Sequence, residues 1–247
     1  MTETIRLSKR LQTVFNFIPQ GARLADIGSD HAHLPCRAIL DKRVPMAIAG
    51  EVRRGPLTQS QHTINAFNLA NQISVRLGNG LDVIQPDEVD AIVLAGMGGE
   101  LITDILTRGS DKLRTGMTLI LQPNIRARNV RVWLQENGWT IGGEAIVEES
   151  PHFYEIICAT NTAAREPRLT ETELLMGPLL LREKNAAFMK KWTRRAMKLD
   201  TIIQSLARTE DSAELRARRL TYQKQLQLIQ QALLKPMIKG EGSLQSE

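Results

Sequence analysis

Apolar residues fall along this chain in two rhythms. Between residues 24 and 160 they gather in short runs: LADIG (24–28), MAIAGE (46–51), ISVRLG (73–78), DAIVLAG (90–96), TLILQP (118–123), EAIVEES (144–150) and FYEIICAT (153–160). The early runs are almost continuously apolar, as parallel strands covered on both faces are. Stretches long enough for helices, such as 54–70 and 99–107, separate them. Strand–helix alternation of this kind specifies a doubly wound α/β sheet. Only Pro151 and His152 part the last two runs, too little chain for a crossover, so these pair as an antiparallel hairpin. Ahead of the first run, SKRLQTVFNFI (8–18) repeats Leu7, Leu11, Val14, Phe15 and Ile18 at helical spacing, and Pro19 stops it.

The second rhythm begins after NTAAREPRLT (161–170), a polar stretch that reads as a linker. Phe188, Trp192, Ala196, Leu199, Ile203 and Leu206 step by three or four, and so do Leu215, Tyr222, Leu226, Ile229 and Leu233, with Arg219 where one apolar residue is missing. TEDS (209–212) supplies a break and a helix cap between the two series. Two helices with such seams, joined by a short turn, form an antiparallel coiled-coil hairpin. The pattern divides the chain into an α/β domain, 1–162, and a helical domain, 163–247, whose tail after Pro236 is frayed.

Composition adds little until the charge is divided. Hydrophobic residues make up 42% of the 247 and charged residues 24%, which excludes wholesale disorder. Two cysteines, Cys36 and Cys158, make neither a disulfide framework nor a zinc site and read as reduced, packed thiols. MTETIRLSKR lacks the apolar core of a signal peptide, and no run approaches a membrane span, so a soluble cytoplasmic protein is expected. Residues 1–164 carry 16 Lys+Arg against 17 Asp+Glu, whereas residues 165–247 carry 16 against 10. The basic excess lies wholly in the helical part, on Lys190, Lys191, Arg194, Arg195, Lys198, Arg216, Arg218 and Arg219. It suggests a polyanion-binding arm on a neutral body, with a solvated helical surface as the plainer alternative.

Chemistry concentrates at the strand ends, where open α/β sheets bind ligands. LADIGSDHAHLP (24–35) begins like a nucleotide-binding loop, with Asp26 and Gly28 at the end of the first strand, but Asp30 and Ala32 stand where further glycines are usual. A nicotinamide cofactor needs Gly-x-Gly-x-x-Gly there, and Gly28 is alone. A parallel sheet that closes with a hairpin is instead the habit of S-adenosylmethionine-dependent methyltransferases. Glu51 ends the second strand, placed to accept from ribose hydroxyls or simply to be solvated. GNGL (78–81), AGMGGE (95–100) and QPN (122–124) follow the next strands, as an adenine-side turn, a floor without bulk for a flat base, and a proline-stiffened polar turn. His31 and His33 lack a third ligand at metal spacing, so no metal is expected.

Together these segments resemble the bacterial tRNA (adenine-22, N1)-methyltransferases. The likeness runs through LSKRLQTV, LADIGSDHAHLP, AIAGEV, GNGL, AGMGGELI, LILQPN, YEII and LLMGPLLLREKNAAFMKKW, and departs at His33, where the family more often carries Tyr. It implies a Rossmann-like class I methyltransferase domain, seven-stranded with an antiparallel last hairpin, bearing the helical arm. It implies methyl transfer from S-adenosylmethionine to N1 of an adenine in tRNA, with no DNA or membrane partner, by a monomer or weak dimer. The cofactor set is Asp26, Gly28, Ser29, His31, Glu51, Val52, Gly78, Asn79, Gly80, Ala95 and Gly96. The substrate set is Met97, Gly98, Gln122, Asn124, Lys190, Lys191, Arg194 and Arg195. Asp30 is the catalytic candidate, a carboxylate for the adenine N6 amino group; its alternative reading is a cap on the following helix. A methyltransferase acting on another RNA or on protein, and a non-enzymatic assembly module, are the rival readings.

Overall fold

The computed structural model describes residues 5–162, 167–208 and 212–235. It divides into two compact units, Met1–Arg168 and Leu169–Glu247. The first unit is built on a seven-stranded sheet. Its strands are β1 (Leu24–Ile27), β2 (Ala47–Glu51), β3 (Ile73–Leu77), β4 (Ala91–Gly98), β5 (Thr118–Ile125), β6 (Thr140–Glu149) and β7 (His152–Thr160). The helices are α1 (Lys9–Asn16), α2 (His33–Leu40), α3 (Arg54–Ala66), α4 (Gly99–Arg108) and α5 (Ala127–Glu136). Strand order is β3-β2-β1-β4-β5-β7-β6. β1 to β5 run parallel, and β7 lies antiparallel between β5 and β6, as the short Ser150–Pro151 connection requires.

Alternation along each buried strand sorts side chains into two cores. Ala25, Ile27, Ile48, Ile92, Leu94, Leu119 and Leu121 face α4 and α5. Leu24, Ala47, Ala49, Ala91, Val93 and Ile120 face α1, α2 and α3. One register therefore serves both layers, because a slip by one residue would exchange them.

Three expected boundaries move. Ser8 caps α1, its Oγ accepting from Leu11 N at 3.3 Å, but the helix closes at Asn16 rather than at Ile18. The QPN segment is not a turn. β5 continues through it to Ile125 beside a lengthened β4, and the ladder slips between Ala95↔Gln122, Met97↔Pro123 and Gly98↔Ile125. Pro123 has no N–H to give to a ladder, so regular pairing breaks there. β6 begins at Thr140, ahead of its apolar run, because the antiparallel partner carries pairing on from Thr140↔Thr160.

The second unit contains α6 (Glu171–Met176), α7 (Leu180–Glu183), α8 (Ala186–Ala207) and α9 (Ala213–Leu234). Thr170 and Glu173 form a capping box on α6. Ser212 caps α9, whereas Thr209, Glu210 and Asp211, like the tail after Pro236, lie outside the described residues. α8 and α9 are antiparallel, since Lys184 Nζ reaches Ala232 O (2.6 Å) while Arg195 Nη2 reaches Gln225 Oε1 (2.8 Å). Burial along their seam is uneven. Phe188, Trp192, Leu199, Ile229 and Ala232 are buried, but Ile203, Leu206, Leu215, Tyr222 and Leu226 are only half covered. Leu174, Met176 and Leu180 from α6 and α7 add a further layer of buried apolar side chains in this unit.

In the first unit, the hairpin is joined to α5 by a buried ion triad. Arg131 Nε meets Glu144 Oε1 at 2.7 Å and its Nη2 meets Glu155 Oε2 at 2.6 Å, all three side chains being 0–2% exposed. Removing the cation leaves two carboxylates in an apolar layer, a change worth about 3–5 kcal/mol. Arg131→Met should lose that much stability in urea titration; a loss below about 1 kcal/mol would show that the triad is not what joins these elements.

Candidate active site

The sheet reverses its strand order between β1 and β4, and the crevice above that point collects the ends of β1, β2, β4 and β5. Asp26 lies in β1 between Ala49 of β2 and Val93 of β4. It is 4% exposed, and Ser29 Oγ donates to its Oδ2 at 2.6 Å. Gly28 follows with φ +70°, and a Cβ there would lie 2.5 Å from Met97 Cε, so the first loop and the end of β4 close on each other.

The next three residues are unusual. Asp30, His31 and Ala32 take φ values of +46°, +74° and +55°. Each non-glycine residue in this left-handed region costs roughly 1–2 kcal/mol. Gly50 O accepts from Gly28 N (2.8 Å) and Ser29 N (3.4 Å), and Glu51 Oε1 accepts from Asp30 N at 2.9 Å. Ser60 Oγ, from α3, donates to the same Glu51 oxygen at 3.2 Å. Glu51 is buried, not a solvated strand end. Burial pushes its pKa up, and the hydrogen bonds from Asp30 and Ser60 oppose that shift. Among the described residues its hydrogen bonds go to Oε1, which leaves Oε2 for a ligand.

The turn points the Asp30 carboxylate outward. Its side chain is 84% exposed, with Oδ1 3.5 Å from His31 Nε2. Ala32, not Asp30, is the N-cap residue of α2, and no side chain caps that helix. The helix-cap reading of Asp30 is therefore excluded. His31 stacks on His33 at 5.6 Å, and no group of three or more metal-ligating residues occurs among the described residues.

The neighbouring edge is built by β4 and β5. Gly96 (φ +80°) donates its N–H to Gln122 Oε1 at 3.0 Å and accepts at its carbonyl from Asn124 Nδ2 at 2.7 Å. Gln122 Nε2 closes the network on Asn124 Oδ1 at 3.1 Å. Gln122 is wholly buried, so it supports Gly96 from behind; Asn124 is exposed. Ala95, Met97 and Gly98 are half-buried along the same rim, and Val52 is 64% exposed beside Glu51. Gly78 and Gly80 are required by packing, since a Cβ would meet Val83 Cγ1 at 2.7 Å or Ile105 Cγ2 at 2.8 Å; Asn79 between them is exposed. Lys190, Lys191, Arg194 and Arg195 belong to α8 in the second unit, where Lys191 Nζ lies 5.1 Å from the Trp192 ring centre.

Arg10 is the residue that the sequence pattern did not single out. From α1 its Nη1 donates to Gln122 Oε1 at 2.8 Å, and its guanidinium carbon sits 5.6 Å from the Tyr154 ring centre. The LSKRLQTV segment was its one signal, because helical periodicity alone places Arg10 on the polar side of α1.

Asp26 makes the site pH-dependent. Burial raises its carboxyl from 3.8 to about 7, opposed by the Ser29 hydroxyl and by the charge of Arg10. The folded chain thus keeps a proton that the unfolded chain releases near 3.8, and the associated stability is complete below that pH and lost as pH rises through about 7. Asp26→Asn should remove this component: its stability relative to the wild type should improve steadily between pH 4 and pH 8 in urea titrations. A constant difference across that range would refute the buried-acid assignment.

Known proteins place the chain. The family model described as tRNA (adenine(22)-N(1))-methyltransferase matches residues 24–231. A Bacillus subtilis protein named tRNA (adenine(22)-N(1))-methyltransferase is 44% identical over 213 residues, which is 85% of this chain and 90% of that protein. The crystal structure of the B. subtilis M1A22 tRNA methyltransferase TrmK superposes with a TM-score of 0.88 at 40% identity, covering 93% of this chain and 99% of that one. A Streptococcus pneumoniae protein solved in complex with S-adenosyl-L-methionine gives 0.83 at 37% identity, covering 92% and 100%. M. capricolum TrmK with S-adenosyl-homocysteine gives 0.81 at 25%, covering 92% and 97%. The family model matches most of the chain and the B. subtilis relative is 44% identical across it, so the chain belongs to the tRNA (adenine(22)-N(1))-methyltransferase family.

Proposed function

We propose that this protein transfers a methyl group from S-adenosylmethionine to N1 of adenine 22 in tRNA. The observation that carries the proposal is the pairing of a buried acceptor, Asp26, with an outward-turned carboxylate, Asp30, four residues later at the strand-order switch. The crevice suits the cofactor. Asp26 offers a buried partner for its ammonium, Glu51 Oε2 faces the place of the ribose hydroxyls, and Gly96 leaves bare backbone where the amino-acid end would lie. When bound, the cofactor supplies an electrophilic methyl group.

The protein's own task follows from the acceptor. Adenine N1 has a free lone pair at neutral pH, so no proton need be removed before transfer. The base must leave its stack, at a cost of a few kcal/mol, and be held in line. Alignment of this kind is worth about 7–11 kcal/mol of a barrier. Asp30 accepts a hydrogen bond from the N6 amino group, which pushes electron density toward N1. After transfer it removes the N6 proton from the cationic base. The second unit, with the basic excess of the chain and Lys190, Lys191, Arg194 and Arg195 on α8, provides the phosphate-binding surface for tRNA.

The test is methylation of a tRNA transcript by the purified protein, with the product located by mass spectrometry. Methyl should appear at adenine 22 and vanish when that base is replaced by guanine; modification elsewhere, or of no RNA, would reject the assignment. Asp30→Ala should fold and bind S-adenosylmethionine normally while turnover falls by about 10²–10⁴. Asp30→Asn keeps an oxygen acceptor but cannot take up the proton, so intermediate activity would mark polarisation as the dominant role and near-total loss would mark proton removal.

A further inference from the structure

We propose that a cavity between α2, α3 and the segment leading into α1 binds a second nucleotide of the tRNA. Arg6 and His62 take its phosphate, and its base lies against Phe67. This subsite rests on the methyltransferase reading and adds to it a contact outside the cofactor crevice.

The cavity has a volume of about 450 Å³. Sites that hold small ligands run from roughly 300 to 1,000 Å³. Gln59, His62, Thr63 and Ala66 fall at i, i+3, i+4 and i+7, so they line it as one face of α3. Another face of that helix is packed, with Ser60 and Ile64 fully buried. The remaining wall is made by His33, the first residue of α2, and by Ile5 and Arg6. Arg37 Nη1 donates to Ile5 O at 3.0 Å and ties that segment to α2.

Charge decides what the cavity takes. Arg6, His33 and His62 line it, and no carboxylate does. Among the described residues neither Arg6 nor His62 forms an ion pair. The first 164 residues carry 16 Lys+Arg against 17 Asp+Glu, so a hollow with cations and no acid is a local feature. Its floor is different in kind. Phe67 and Ile5 supply apolar surface, and burial lowers the pKa of His33, which leaves a flat neutral ring at pH 7. Bases stack on aromatic rings of this kind whatever their sequence. Donors for an anion beside apolar and aromatic surface match a nucleotide better than a bare ion.

Position selects RNA. His33 stacks on His31 at 5.6 Å with the rings 18° from parallel, and His31 Nε2 lies 3.5 Å from Asp30 Oδ1. On the α3 side, Gln59 adjoins Ser60, whose Oγ donates to the Glu51 oxygen that holds the Asp30 amide. The cavity therefore shares two walls with the turn that carries the proposed catalytic group. An RNA strand whose adenine meets Asp30 continues across these rings, and a nearby phosphate reaches Arg6. Phosphate contacts of this kind set the register of the strand without reading its sequence.

Steady-state kinetics on a tRNA transcript and ultraviolet cross-linking test the subsite. Arg6→Gln and His62→Glu both fall at exposed positions and should fold normally. Each should raise KM for tRNA by about fivefold or more, with kcat and S-adenosylmethionine affinity within about twofold. Irradiation of the wild-type complex with tRNA should leave a nucleotide adduct within residues 59–67. A fall in kcat at unchanged KM would show that these residues only support the Asp30 turn, and would overturn the proposal. So would adducts confined to the second unit. Equal adduct formation with free AMP at the same concentration would also overturn it, by making the cavity a site for a free nucleotide. A wild type that binds S-adenosylmethionine but methylates no tRNA would instead overturn the reading on which the subsite rests.

Discussion

The hydrogen bond from the Asp30 amide to Glu51 Oε1 is the contact on which the site depends. Three consecutive non-glycine residues with positive φ would together cost roughly 3–6 kcal/mol if nothing held them. A hydrogen bond to a charged acceptor contributes about 1.5–3 kcal/mol, so this bond offsets only part of that. Gly50 O adds two acceptances on the preceding residues, and Ala32 at the end of the turn is fully buried. The strain is held by β2 on one side and by the core beneath α2 on the other. What results is a carboxylate turned outward to solvent, on a backbone held more firmly than a glycine-rich loop would be.

Glu51 links that turn to the rest of the pocket. One oxygen holds Asp30 while Ser60 of α3 fixes the carboxyl from behind, so ligand contact at Oε2 and the pose of the proposed catalytic group share one side chain. The opposite rim works through an irregularity. Because Pro123 cannot donate, the β4–β5 ladder slips, and Gln122 and Asn124 take over the hydrogen bonding of Gly96 with their side chains. Arg10 then ties α1 to the same amide. Both rims thus rest on buried polar side chains behind backbone of unusual geometry.

Much of the fold was legible in the sequence. Apolar runs of strand length with helical spacers gave the parallel sheet, and the two-residue gap at Pro151 and His152 gave the antiparallel hairpin. That Asp26, Gly28, Asp30 and Glu51 gather at neighbouring strand ends was legible from the order of the runs. The illegible parts depend on tertiary contact. Gln122 sits on a segment with the look of a polar turn, and nothing local says that its amide is buried behind Gly96. Nor does the sequence show that Gly78 and Gly80 are required by packing against Val83 and Ile105. Arg10 reads as a solvated helix charge until α1 is placed over the sheet edge. The regular seam of α8 and α9 overstates their burial, because seam spacing does not reveal where other elements cover it.

The central claim is that Glu51 holds a strained turn in place and so fixes the outward pose of Asp30, the proposed catalytic group. Hydrogen exchange at the single amide of Asp30 tests it most directly. In the wild type this amide should exchange slowly, protected by Glu51, and in Glu51→Ala it should exchange orders of magnitude faster while the core amides of β1 and β4 stay protected. Fast exchange in the wild type, or the same protection in both proteins, would contradict the account.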